Sequence, residues 1–574
     1  MLRMVVLVAS TMSILVRVRN FRPAIHPVWL STFLAVAFVL IYNNSLWGMV
    51  LKGWPGRGFV DWLFICSFGI VLTIAFSLVL QPFAFRKLIK PTAIFLVMIA
   101  SLVTYFSETY GVIFDKMMIA NVVDTDPREV ANLLSLKLVL QLIFYGVLPA
   151  VVISRLKLNT YPKKQEIALR LGMVAAGLLV IAVIAAAFFQ DYASFVRNNR
   201  QIRYAINPTS AIYYTAGYAF RHLVPKDETI AIVAETVHPG AALSNVDKPV
   251  VFVLVIGETA RASNFSLNGY ERETNPSLSA LPILNFTNFW SCGTSTAESL
   301  PCMFSPFSRG EQSLEVMSYS ENLLDILARA DFDVVWIENN SGGCKGTCRS
   351  EQRLFMGNPA DPGVCAAGEC KDDILLERLE EKLETVSRNT IYVLHQMGSH
   401  GPTYYQQYPD VYRKFTPTCD TNQLQTCSTE DIVNTYDNTI LYTDEILSEA
   451  IGALESVADR VDVSLMYVSD HGESLGENGI YLHGFPFSIA PDEQKHVPFL
   501  MWMSKAFEDR LSLDRSCISA QQNVGLSHDN LFHTIIGMLN VETDIYRGGL
   551  DFLSNCQTSV SYSGISETTK QSVQ

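Results

Sequence analysis

Three short stretches, far apart in the chain, each end an apolar run with side chains that bind metals. Residues 250–261, VVFVLVIGETAR, place Glu258 just after a β-branched run and Gly257. Residues 390–402, TIYVLHQMGSHGP, offer His395 and His400, and residues 463–474, VSLMYVSDHGES, offer Asp470 and His471. The runs are too short to span a bilayer and have the length of buried strands. Open α/β sheets bind ligands at the carboxyl ends of their strands, so acids and imidazoles delivered by three strands point to one site. Zinc takes such N and O ligands; Glu258, Asp470 and His471 would supply three and leave a fourth position open for chemistry. His400 in GSHGP and His483 in YLHGF stand in Gly-flanked turns that could hold a second ion or a phosphate. Taken singly, a loop histidine such as His395, His496, His528 or His533 is more often a satisfied structural group.

Such a metal needs an oxygen to activate. Residues 291–303, SCGTSTAESLPCM, supply Thr294, Ser295, Thr296 and Ser299, with a helix start near Thr296 and with Cys292 and Cys302 able to staple the turn. A helix N-terminus favours an anion such as a phosphoryl group. Zinc can activate a hydroxyl much as it brings bound water from pKa 15.7 to about 7. Residue chemistry does not choose among the four hydroxyls, and without the metal set the cluster would read as capping and turn formation.

The elements that must position these groups form a layered α/β pattern from residue 250 onward. Residues 333–338, 390–395, 463–470 and 496–502 are strand-like, while 322–329, 373–386 and 439–457 have helical spacing, which predicts a mostly parallel sheet. The polar stretch 559–574 has the composition of a disordered tail.

The first part of the 574 residues is different, because nearly all long apolar runs lie before residue 191. Five of them, 28–50, 59–80, 91–111, 137–154 and 168–190, approach the ~20 residues of a bilayer span. Arg17, Arg19 and Arg22 precede the first run; Arg86, Lys87 and Lys90 follow the second; Arg155, Lys157, Lys163, Lys164 and Arg170 follow the fourth. The alternate loops carry Lys52 and Arg57, then Lys116 and Arg128 diluted by Asp115, Asp124, Asp126 and Glu129. The positive-inside rule therefore puts the first set in the cytoplasm and everything after the fifth span outside it. Asn43 and Asn44 near the outer end of the first run read either as bonds to a neighbouring helix or as a substrate contact. The outer loop 121–135 predicts a helix starting at Asp126-Pro127 that lies along the membrane surface. Residues 4–16 are of signal-peptide length without an A-x-A site, and no role is assigned to them.

Cysteine usage agrees with export. Of eleven cysteines only Cys66 lies in the apolar half; the others, Cys292, Cys302, Cys344, Cys348, Cys365, Cys370, Cys419, Cys427, Cys517 and Cys556, form an even set typical of an oxidising compartment. They lack the paired C-x2-C clusters of a zinc finger. A net charge of -13 without a Lys/Arg-rich arm argues against a nucleic-acid binder. The expected organisation is an N-terminal cytoplasmic segment 1–27, a five-helix membrane domain 28–190, an interfacial connector 191–245 rich in Arg and Tyr, a periplasmic α/β domain 246–558 and the tail 559–574.

The five runs, the connector, and GETAR, CGTST, GSHGP, SDHGES and LHG in this order resemble the lipid A phosphoethanolamine transferases, the group that includes the colistin-resistance enzymes. The resemblance covers roughly residues 22 to 556. It implies an alkaline-phosphatase-like domain in the periplasm of a bacterial inner-membrane protein. It implies Thr296 as nucleophile, and Glu258, Thr296, Asp470 and His471 as ligands of the main zinc, with His400 and His483 near a second metal or the substrate phosphate. By the same resemblance His395, Asn340 and Lys345 face the phosphoethanolamine group, and Asn121 and Glu129 meet the donor headgroup. The run GGCKGTC around Lys345 departs from some relatives. Neighbouring cysteines pair in this family, which implies bridges 292–302, 344–348, 365–370, 419–427 and 517–556. The implied donor is phosphatidylethanolamine, the acceptor lipid A, and a monomer is expected.

Other readings keep the fold or the metal. A sulfatase would show C-x-P-x-R or S-x-P-x-R, and neither occurs around Cys292 or Cys302. A glycerol-phosphate polymer synthase, or a transferase acting on a core sugar or periplasmic glucan, keeps the whole site. A metal-binding membrane sensor would keep its function without Thr296.

Overall fold

The structure, a computed structural model, describes residues 23–53, 58–125, 127–223, 229–243, 248–340, 343–349, 353–355, 365–366 and 369–557. Residues 1–22 with Arg17, Arg19 and Arg22, the tail, Arg57 and Asp126 lie outside the described residues, as do the side chains of Arg128 and Glu129. The chain divides into two units, one running to Ile119 and resuming over Leu134–Leu223, the other comprising Ala120–Leu133 and everything from Val224 on.

In the first unit, among the described residues, four helices are long and apolar enough to cross a membrane: Phe59–Leu80, Ile89–Tyr110, Leu136–Arg155 and Lys163–Ala187. The first expected span is instead two helices, α1 (Pro27–Ile41) and α2 (Asn44–Gly53), bent by 60°, and counting the pair as one gives five. The break has a local cause. The Val39 carbonyl, which a continuing helix would offer to the Asn43 N–H, accepts the Trp47 indole at 2.7 Å. Asn43 Nδ2 donates to the Phe38 and Asn207 carbonyls at 2.9 and 2.7 Å, and its Oδ1 accepts the Asn207 N–H at 2.9 Å. Asn43 is thus a structural group, and Asn44 donates to Glu108 Oε1 at 2.8 Å. The helix over Leu136–Arg155 carries a π-turn at Leu142–Val147, just ahead of Pro149, which has no N–H to return. The expected connector contains helices Phe189–Asn198 and Thr209–Leu223.

The second unit is built on a seven-stranded sheet. Its strands are β1 (Val250–Gly257), β2 (Leu284–Phe286), β3 (Asp333–Glu338), β4 (Arg353–Phe355), β5 (Thr390–His395), β6 (Asp462–Ser469) and β7 (Phe499–Met503), in the order β2-β7-β6-β1-β5-β3-β4. The five strands from β6 to β4 are parallel, whereas β7 pairs antiparallel with both β6 and the edge strand β2. Parallel strands need cover on both faces, and β1 shows it: Val250, Phe252, Leu254 and Ile256 enter one core, Val251, Val253 and Val255 the other. The seventh strand begins at Phe499, three residues later than the run 496–502 predicts, because Pro498 cannot donate to a ladder.

One helix differs from its sequence signal. The spacing predicts 439–457, but the helix spans Thr429–Ser456, capped by the Ser428 side chain on the Asp431 N–H. Its first turns bury Asn434, Thr435, Asp437 and Asn438 alongside Ile432 and Tyr436, so polar residues break up the apolar spacing there. These groups bind loops instead: Asn438 Nδ2 donates to the Phe415 carbonyl at 2.9 Å, and Asp437 accepts Asn264 Nδ2 at 2.6 Å.

Candidate metal centre

Four neighbouring strands end level with one another. In the ladders His395 pairs with Ile256 and with Glu338, and Ser469 pairs with Gly257. The residues immediately beyond, Glu258 after β1 and Asp470 and His471 after β6, therefore meet at one point above the sheet. Glu258, Asp470 and His471 are fully buried, and one ligand atom from each lies within 4.8 Å of the others.

The hydrogen bonds around this trio aim it. Asp470 Oδ1 accepts the N–H groups of Thr259 and His471 at 3.2 and 2.7 Å, while its Oδ2 is buried without a partner. Thr259 adopts φ +53° to present that N–H, and its carbonyl accepts the Tyr436 hydroxyl at 2.7 Å. His471 Nδ1 contacts the Gly472 carbonyl at 2.9 Å and so carries the proton, leaving Nε2 with its lone pair toward the carboxylates. That Nε2 lies 3.3 Å from both Glu258 Oε1 and Asp470 Oδ2 and has no hydrogen-bond partner. Two buried carboxylates and an imidazole lone pair converge with unused valences, the donor set that a zinc ion takes.

Their protonation carries the same message. Burial and the neighbouring charge of Glu258 push Asp470 up, whereas Glu258, despite burial, is held low by the His471 imidazole beside it. The His471 imidazole is raised, the carboxylates outweighing the burial that would lower it. A cation between the three would relieve the repulsion.

Thr296 opens the helix Thr296–Met303, with Ser295 at the cap. Its Oγ1 donates to Glu258 Oε2 at 3.1 Å and lies 3.3 Å from Oε1. The neighbouring hydroxyls are placed otherwise: Thr294 Oγ1 donates to the Phe485 carbonyl at 2.6 Å, and Ser295 and Ser299 have buried hydroxyls without partners. The Cys292–Cys302 bridge ties this helix to the turn before it.

The remaining expected residues fall at graded distances. Asn340 Nδ2 donates to Glu258 Oε2 at 2.6 Å and to the Gln396 carbonyl at 3.1 Å. His395 Nε2 lies 4.0 Å from Glu258 Oε2. The His483 ring lies 4.4 Å from that of His471 and 5.5 Å from that of His400, centre to centre, so the three imidazoles form one group. His483 Nδ1 is 2.8 Å from Glu473 Oε2, and burial lowers its pKa. Lys345 sits half-buried with φ +48° in the turn closed by Cys344–Cys348, and among the described residues no hydrogen bond or ion pair joins it to the cluster. Asn121 is half-buried in the helix Lys116–Asp124, likewise without a bond to the cluster, and the Glu129 side chain is not described. Five bridges, 292–302, 344–348, 365–370, 419–427 and 517–556, join all ten cysteines of this half.

Two carboxylates escape a reading of the motifs. Asp372, buried ahead of the helix Asp373–Thr385, accepts the N–H groups of Met397 and Gly398 at 2.8 and 3.0 Å and so fixes the loop that carries His400. Gly398, at φ +53°, lies so close that a Cβ would meet the Glu258 carbonyl at 2.7 Å. Glu338 ends β3 beside His395, and its signal, an acid closing an apolar run, is the one that singles out Glu258.

Comparison with known proteins bears on this arrangement. Residues 72–223 match the family Phosphoethanolamine transferase EptA/EptB, and residues 251–541 match the family Sulfatase. Phosphoethanolamine transferase EptA of Escherichia coli K12 is 39% identical over 93% of this chain and 98% of its own length. The chain belongs to the phosphoethanolamine transferases. Phosphatidylethanolamine transferase Mcr-1 of Escherichia coli is 34% identical over 91% of this transferase and 97% of its own length. The solved integral membrane protein lipooligosaccharide phosphoethanolamine transferase A of Neisseria meningitidis superposes with a TM-score of 0.89 at 36% identity, covering 94% of this chain and all of that one. The transferase is thus an integral membrane enzyme with a sulfatase-like second unit.

Proposed function

We propose that this transferase moves phosphoethanolamine from phosphatidylethanolamine to lipid A through a covalent intermediate on Thr296. The observation that carries the reading is the Thr296 hydroxyl, held 3.1 Å from a carboxylate of the candidate metal trio at a helix N-terminus. Glu258, Asp470, His471 and the Thr296 oxygen would hold a zinc ion, which when bound would supply the Lewis-acid charge that makes the hydroxyl a usable nucleophile. Thr296 Oγ1 forms a bond to the donor phosphorus as the bond to the glycerol oxygen breaks, and diacylglycerol leaves with a proton in exchange for the one Thr296 gives up. The free N–H groups of the helix Thr296–Met303 face the phosphoryl oxygens. His395 and Asn340, both beside Glu258, face the phosphoethanolamine group, and His400 and His483 take a second ion or the phosphate. An oxygen of lipid A then displaces Thr296 and restores its hydroxyl.

Both substrates are lipids, which gives the N-terminal unit its purpose. Its basic loops support a reading in which the protein lies in the bacterial inner membrane with the α/β unit in the periplasm, where an oxidising environment would keep the five bridges closed. Added ethanolamine on lipid A lowers its negative charge, and polymyxin resistance follows from that. Mass spectrometry of lipid A from cells with and without the protein tests the reading. One added phosphoethanolamine unit is expected; unmodified lipid A with a modified core sugar or glucan would move the acceptor, and no modification with a Thr296→Ala variant still functional would favour a sensor.

A further inference from the structure

The two groups set against Glu258 from β3 and β5 are held by one side chain. Glu338 is 1% exposed and pairs with His395 across the ladder. Its Oε1 lies 2.7 Å from His395 Nδ1 and accepts the Asn340 N–H at 3.0 Å, and its Oε2 accepts the Trp336 indole N–H at 2.8 Å. The Trp336 ring in turn packs edge-on against the imidazole, 5.7 Å between centres and 78° between planes. The imidazole is therefore gripped on one side by a carboxylate and on another by an indole that anchors the same carboxylate. What remains free is its far edge, whose Nε2 points toward Glu258 Oε2, the oxygen that also takes the Asn340 amide and the Thr296 hydroxyl.

A buried carboxylate is costly unless its lone pairs are used, and an apolar residue would cover the end of β3 at less cost. Here every lone pair in use goes to a residue at the site or to the tryptophan that packs on it. We propose that Glu338 is a positioning residue of the transfer reaction, which through His395 Nδ1 and the Asn340 backbone sets the imidazole and amide toward the phosphate that Thr296 attacks. The inference rests on the reading that His395 and Asn340 face the donor's phosphoethanolamine.

The test uses the full chain in detergent, with release of labelled headgroup from phosphatidylethanolamine as the readout and with zinc content and melting temperature measured alongside. Glu338→Gln should lower kcat by about tenfold or more with KM within about twofold. Combined with His395→Ala it should cost clearly less than the product of the two single effects, because the two residues act in one chain of contacts. Trp336→Phe, which removes only the donor to Oε2, should lower kcat by about threefold at unchanged melting temperature, and it keeps the test open if Glu338→Gln does not fold. Wild-type turnover in Glu338→Gln beside a crippled His395→Ala, multiplicative effects in the double variant, or an unaffected Trp336→Phe would each overturn the inference. Full activity in both His395→Ala and Asn340→Ala would instead remove the reading on which it rests.

Discussion

The Thr296 hydroxyl donates to Glu258 Oε2 at 3.1 Å, although 38 residues separate the two in sequence. The contact joins the first turn of a helix to the end of the central strand, so the proposed nucleophile and the first proposed metal ligand are set by the same packing that builds the domain.

Removal of that hydroxyl should end turnover. Thr296→Ala is expected to lose headgroup release by on the order of a thousandfold or more, whereas Thr296→Ser keeps a measurable fraction, because the oxygen stays within reach of Glu258. Intact-mass measurement of the wild type given donor alone should find a phosphoethanolamine adduct that Thr296→Ala lacks. An adduct mapped to Thr294, Ser295 or Ser299 would reassign the nucleophile.

Metal removal should be visible in stability as well as in activity. An ion that binds the folded chain at a hundred times its Kd contributes about 2.7 kcal/mol. Chelation should therefore lower the melting temperature and abolish headgroup release together, and Asp470→Asn should make the melting temperature much less sensitive to chelator. Equal chelator sensitivity in the two proteins would place the ion elsewhere.

The bridges should differ in worth according to the loops they close. Cys517–Cys556 spans 39 residues and Cys344–Cys348 spans 4. Chain entropy makes loss of the longer one worse by on the order of 2 kcal/mol. Paired Cys→Ser variants compared by denaturant unfolding check this, and a larger cost at Cys344–Cys348 would show that the turn holding Lys345 depends on its bridge for more than entropy.

The buried His533 imidazole should oppose folding in acid. Burial pushes this imidazole from 6.5 down to about 4, and it is held neutral between the Pro306 carbonyl at 3.1 Å and the Arg547 N–H at 3.2 Å. The folded pKa lies below the unfolded one, so the folded state binds fewer protons and stability falls as pH drops from about 6.5 to about 4, by about 3 kcal/mol. Asp444 and Asp551, raised by burial from 3.8 to about 6, act in the opposite sense and gain stability as pH falls from about 6 toward 3.8. His533→Gln should therefore change the slope of unfolding free energy against pH below about 6.5 by removing the acid-side loss that His533 contributes. An acid limb of unchanged slope would contradict the assignment.

Much of this site was legible before any coordinates, because each main ligand follows a run of buried strand residues and a strand can deliver it to only one place. Glu258, Asp470 and His471 carry that signal unmixed. Thr296 did not stand out from Thr294, Ser295 and Ser299 by chemistry, since all four are hydroxyls in one turn and only the helix start at 296 decides which one faces Glu258. The helix Thr429–Ser456 was read ten residues short because polar residues break up the apolar spacing of its first turns and bind loops through Asp437 and Asn438. The bend between α1 and α2 was hidden for the opposite reason, being made by Asn43 and Trp47 within an otherwise apolar run. Glu338 carries the same pattern, an acid closing an apolar run, but nothing in the sequence separates it from an ordinary strand end.

Gly398 carries no side chain, and an added Cβ would lie 2.7 Å from the Glu258 carbonyl oxygen and 3.0 Å from its N. Any side chain there would push against the carbonyl that follows β1 and carry the Glu258 carboxylate away from Thr296. Position 398 is closed to side chains by the geometry of a neighbour, so the proposed chemistry constrains a residue that takes no part in it.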